Sequence, residues 1–217
     1  MLLTNRQLHL AGWLSIIANG LLLPIVFIVT LIFLRNYFLD KFTTTFIITT
    51  ILLIRHGLSA YIFSTLQKML KEHIQFENAN LALALIELLH VILVGFALAF
   101  GILFAFDSPA DLDKIGNLVS AIKIYVVAII MLTTFKLITG IITYQLALME
   151  DFAFSLIITS SSTIILLLLW VSVLTGETVL NIYLMFIAVF SLVTEAIVHF
   201  VLGKVFFIVA KASYKVT

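Results

Sequence analysis

Apolar residues run along this chain in long unbroken stretches, with short polar punctuation between them rather than alternation within them. Six stretches, at about 12–34, 43–66, 80–106, 117–147, 152–174 and 178–203, are long enough to cross a hydrocarbon core, which needs about 20 helical residues. Backbone groups in lipid must pair within their own segment or in a closed barrel, and the strict alternation of a barrel strand is missing. The expected fold is therefore an all-α integral membrane protein, a bundle of six transmembrane helices forming one polytopic domain over residues 1–217. The first stretch is longer than a signal-peptide core and no small-x-small cleavage site follows it, so it reads as a retained span.

The punctuation fits short connections: RNYFLDKF (35–42), QKMLKEHIQFEN (67–78), DSPADLDKIGN (107–117), MED (149–151) and TGET (175–178). Ser108 is placed to cap a short helix starting at Pro109, and Asp111 and Asp113 read as solvated carboxylates rather than a calcium loop. Orientation follows Lys and Arg near the helix ends. Arg6, Lys68, Lys71, Lys204, Lys211 and Lys215 fall on one side, and Arg35, Lys41, Lys114 and Lys123 on the other. That bias places both termini in the cytoplasm, with Trp13 and Trp170 near opposite faces. Localisation is then multi-pass, in a cell membrane or an equivalent energy-transducing membrane.

Composition agrees. Of 217 residues, 63% are hydrophobic and 11% charged, against about 25% charged in soluble domains. The net charge of +1 argues against nucleic acid as a partner and leaves the lipid bilayer, a second copy, or other subunits of a membrane complex. With no cysteine there are no disulfides, thiolate metal sites or cysteine nucleophiles.

The chemistry lies in the polar residues that interrupt the apolar stretches. Arg55 and His56 stand in the second, Glu87 and His90 in the third, Lys136 in the fourth, Glu195 and His199 in the sixth. An ionisable group at the bilayer centre costs from about 2.5 to more than 10 kcal/mol, so these side chains must face one another or a wet cavity. At about 1.5 Å per residue, His90, Lys136 and Glu195 lie within roughly 6 Å of their helix midpoints, and Arg55 is close to its own. A shared, nearly neutral cluster is expected, with Glu87 or Glu195 opposite Arg55.

Helical spacing sorts the faces. Ala188, Ser191, Glu195, His199 and Gly203 form one stripe, and Glu87, His90, Val94, Ala97 and Gly101 another. Thr45, Thr49, His56 and Ser59 share a third, from which Arg55 points about a quarter turn away. In the first stretch, Pro24 should free the carbonyl of Gly20 and kink the helix beside Asn19.

Four readings follow. Glu87, His90, Glu195 and His199 suit proton or ion binding, Arg55 and Lys136 charge balance, and Asn19, His56 and Ser191 a cavity lining. The halves, three spans each ending in a Glu-then-His helix, resemble a weak inverted repeat of the kind transporters use. Metal is a second reading: ELLH (87–90) has the Glu-x-x-His spacing, but EAIVH (195–199) is one wider, which leaves a single ion on His56, His90, His199 and a glutamate. Haem b or a quinone is a third, with His90 facing His56 or His199 in a larger redox complex. The fourth is a structural network in an accessory subunit. No Ser–His dyad, HExxH or acidic pair marks an independent enzyme. The sequence favours ion- or proton-coupled transport, with the accessory or cofactor-binding subunit as the alternative.

Overall fold

The computed structural model describes the backbone of residues 3–36, 41–106, 112–172 and 177–213, and the side chains of 3–30, 43, 45–102, 124–169, 186 and 189–212. The expected Ser108 cap, Asp111, and the side chains of Asp113 and Trp170 lie outside these. Among the described residues six helices are long and apolar enough to cross a membrane. The first is continuous through α1 (Asn5–Trp13), a π-helical segment (Leu14–Leu22) and α2 (Leu23–Asn36). The others are α3 (Lys41–Glu72), α4 (Asn80–Phe106), α5 (Leu112–Thr143), α6 (Glu150–Ser172) and α7 (Glu177–Ser213).

Several ends differ from the apolar runs, for local reasons. The first helix starts at Asn5 rather than 12, because Thr4 and Gln7 form a capping box. The Gln7 N–H donates to Thr4 Oγ1 at 3.3 Å, and the Thr4 N–H donates to Gln7 Oε1 at 2.9 Å. α3 continues through the polar stretch to Glu72, since Leu66, Met69 and Leu70 make a helical stripe that is wholly buried while Lys68 and Lys71 stay exposed. Its end is held by the Leu3 N–H, which donates to Glu72 Oε2 at 2.5 Å. Gln75 then takes a left-handed conformation (φ 56°), and the chain reverses into α4. α5 stops at Thr143 rather than 147, and a 3-10 turn, Ala147–Met149, leads into α6. α7 runs to Ser213, well past 203.

Pro24 was expected to free the Gly20 carbonyl and kink the helix beside Asn19. A wider π-helical segment precedes it, and the Leu23 N–H reaches back to the Ala18 carbonyl, five residues away. The missing proline N–H therefore falls where the helix narrows again.

Each helix packs on the next in chain order, and α7 closes the circle on α1 and the π segment. α3, α5 and α7, alternate members of this ring, meet across its centre through Arg55, Lys136 and Glu195. Leu8, Phe63, Leu66, Leu70, Leu83, Phe152 and Phe206 are all buried near the end where the chain starts, α3 ends and α4 begins. They form an apolar plug there. The outer face is apolar, with Leu81 74%, Phe46 63% and Ile102 63% exposed. That inverts the pattern of a water-soluble bundle, as a lipid-facing surface requires.

Candidate functional site: a polar chamber at the ring centre

α3, α5 and α7 each send one charged side chain inward. Glu195 takes a different cation on each oxygen: Arg55 Nη2 on Oε2 and Lys136 Nζ on Oε1. The side chains are 23%, 7% and 20% exposed for Arg55, Lys136 and Glu195, so the three are largely out of solvent. At such depth the pairing offsets a desolvation cost of several kcal/mol per ion.

Arg55 and His56 diverge, as their spacing requires. His56 turns toward α4, and its Nδ1 lies 3.1 Å from His90 Nδ1. One nitrogen must carry the proton and the other the lone pair, so the two neutral rings are opposite tautomers. Both rings are buried, and neither Nε2 has a hydrogen-bond partner among the described residues.

His199 belongs to a separate network against the π segment. Ser15 Oγ donates to the His199 carbonyl at 2.7 Å and lies 3.1 Å from His199 Nδ1. With its one proton committed, Ser15 accepts from Nδ1–H, which leaves Nε2 as an acceptor. Asn19 Nδ2 supplies the matching donor at 3.3 Å and also donates to Ser59 Oγ at 3.0 Å. A neutral His199 is thus satisfied at both nitrogens. A space of about 10 Å³ beside Asn19, Ser59, Arg55, Glu195 and His199, the size of one water, links this network to the ion pairs.

Phe63 separates the histidines. It stacks on His90 (centroids 5.9 Å, 20°), meets His199 edge-on (6.3 Å, 70°), and lies under the Lys136 ammonium, 5.5 Å from its ring centre. Sequence reasoning passed over Phe63, although it is seven residues after His56 on the same face. It also passed over Ser15, which precedes Asn19 by one turn, and Tyr125.

Between these groups lies a cavity of about 240 Å³, walled by all six candidate spans. Its polar lining is Arg55, His56, His90, Tyr125, Lys136 and Glu195 with Thr133, Thr163 and Ser191; its apolar lining is Phe27, Val126, Ile129, Leu132 and Leu167, of which Val126, Ile129 and Leu167 pack together.

The placement of the expected site residues is therefore mixed. Arg55, His56, His90, Lys136, Ser191 and Glu195 converge on the chamber; Asn19 and His199 sit behind it. Glu87 does not join: it is half-buried on α4, with no ion pair or hydrogen bond among the described residues. The expected near-neutral cluster is instead two cations against one anion. Among the described residues no three His, Asp or Glu side chains gather as a metal would require, because Phe63 holds His199 away from the other two rings. His56 and His90 bond to each other through Nδ1.

Compared with known proteins, the chain matches no family model, no curated protein and no solved structure.

Proposed function

We propose that the chain is an integral membrane protein, both termini cytoplasmic, that carries out ion- or proton-coupled transport through the central chamber. The observation that supports this reading is that all six candidate spans wall one cavity holding Arg55, Lys136, Glu195 and the His56–His90 pair. Ionisable groups are expensive in such a place and recur where charge must cross.

The histidine pair supplies a route for protons. A proton reaching the bare Nε2 of the ring whose Nδ1–H donates lets that ring pass its Nδ1 proton to its partner. The partner then releases the proton on its own Nε2. Two N–H bonds form and two break, and one proton has moved from ring to ring. The transfer leaves the two tautomers exchanged, and a second proton can follow only after each ring trades its proton with another donor or acceptor, since the reverse of the same step would carry the first proton back. Glu195 is the group that would trade a cationic partner for a passing ion, while Arg55 and Lys136 hold its charge. The plug around Phe63, Leu66 and Phe206 closes the terminal end in this state, and passage requires it to part.

The test is flux. Liposomes carrying the purified chain and an entrapped pH dye, given an imposed potential, should acidify faster than protein-free liposomes. Glu195→Gln and His90→Gln should each abolish the difference. Equal rates with and without the wild-type chain, in buffers containing and lacking small organic ions, would overturn the proposal.

A further inference from the structure

We infer that the chamber binds a compact organic monocarboxylate, its carboxylate at the Arg55–Lys136 side and its apolar body against Val126, Ile129 and Leu167. The inference rests on the transport reading only in taking this chamber as the working site, and it names what that site holds.

Charge carries the first step. Arg55 and Lys136 share a single carboxylate, Glu195, and Glu87 is not there to balance them. Among the described residues the chamber wall has a surplus positive charge in surroundings that are otherwise apolar or neutral. An unneutralised charge out of water is costly, and one anion removes the imbalance. A second anion would restore it with the opposite sign, so the fitting charge is minus one.

Hydrogen bonding carries the second. His56 and His90 are each 2% exposed and line the cavity, yet both Nε2 atoms lack partners. Their shared Nδ1 contact fixes one Nε2 as N–H and the other as a lone pair. Both Nε2 atoms are themselves buried, so a shift of either ring is what would bring the donor to a carboxylate oxygen, or the acceptor to a proton taken up alongside it. Tyr125, Thr133, Thr163 and Ser191 add hydroxyls to the same wall.

Size and polarity carry the third. A cavity of roughly 150 Å³ accommodates benzene, so the 240 Å³ here suits about ten non-hydrogen atoms. Five of its lining side chains are aliphatic or aromatic, and Val126, Ile129 and Leu167 among them pack together as one apolar cluster, which would be poor company for a fully hydrated inorganic ion. An apolar body ending in a carboxylate matches both halves. Once loaded, the chamber is neutral, which lowers the cost of moving it between the two faces of a membrane.

Three probes of one size and shape separate the terms: benzoate, benzamide and benzamidinium. Binding is read on the full chain in nanodiscs by calorimetry. Benzoate should bind at least about tenfold more tightly than benzamide, and benzamidinium should not bind. Lys136→Met should remove the preference for benzoate, and Lys136→Arg should keep it. Should the methionine variant fail to fold, Val126→Phe, which fills the apolar side and leaves the ion pairs alone, should weaken all binding. Displacement of benzoate by a long-chain fatty acid would identify the bilayer as the source of the carboxylate, and its failure would identify the aqueous phase. Equal binding of benzamide and benzoate, a preference for benzamidinium, or no binding of any probe would each overturn the inference. Benzoate binding without any flux would sink the transport reading alone, and flux with no benzoate preference would sink this one alone.

Discussion

His56 on α3 and His90 on α4 meet nitrogen to nitrogen, Nδ1 to Nδ1 at 3.1 Å, in a contact that neither ring can make with both nitrogens protonated on that side. The rings are therefore complementary in protonation, and neither is defined without the other. With ¹⁵N-labelled histidine, one of the two should show the Nδ1–H tautomer and the other the Nε2–H tautomer. Identical tautomers would mean the contact does not form.

The same contact makes the pair a unit in any proton movement. His56→Gln and His90→Gln should each reduce proton flux to background, and the double variant should be no worse than either single one. Additive losses would show that the rings act separately.

Glu195 is expected to matter more to stability than either of its partners. Glu195→Gln leaves two buried cations facing each other and should cost about 3–5 kcal/mol of unfolding free energy. Replacing Arg55, Lys136 and Glu195 together by Met removes the charges and their desolvation cost, and should recover most of that loss. Unfolding in mixed detergent measures both. A triple variant less stable than Glu195→Gln would mean that the pairs contribute more than they cost. Glu87 provides the contrast. With no partner among the described residues, Glu87→Gln should leave stability and flux near wild type, while Glu195→Gln loses both.

Much of this was legible in the sequence because lipid leaves few options. Long apolar runs can only be helices, so their number and rough placement follow, and rare polar residues within them must seek each other. That logic brought Arg55, His90, Lys136 and Glu195 to a common depth. The Thr45, Thr49, His56 and Ser59 face is likewise buried together, each residue less than a tenth exposed. Partner choice was not legible. Glu87 and Glu195 were both open as partners for Arg55, and the structure leaves Glu87, one turn before His90, half-buried and outside the chamber lining. The π segment was hidden because hydropathy does not register one extra residue per turn. The Thr4–Gln7 capping box was in plain view but lay outside the apolar run. Phe63 was missed because a phenylalanine in a greasy helix carries no signal of its own, and its role comes from the lysine and histidines set around it.

Close packing of α1 on α7 gives a last test, one that does not depend on function. A Cβ on Gly203 would lie 2.9 Å from the Gly12 carbonyl oxygen, a backbone atom that cannot rotate away. Gly203→Ala must therefore push the helices apart, at a cost of about 1–3 kcal/mol. The strain should reach Ser15 and His199, which join the same two helices and hold their hydrogen bond only at this separation. The His199 ring resonances should then shift along with the loss of stability. Gly57 and Gly95 lie inside helices with nothing within 4 Å of an added Cβ. Alanine at either should be neutral or stabilise by roughly 0.5–1 kcal/mol, as expected of a helix-interior glycine freed of steric duty. If Gly203→Ala behaved like those two, α1 and α7 would not be in contact, and the closure of the ring around the chamber would fail with them.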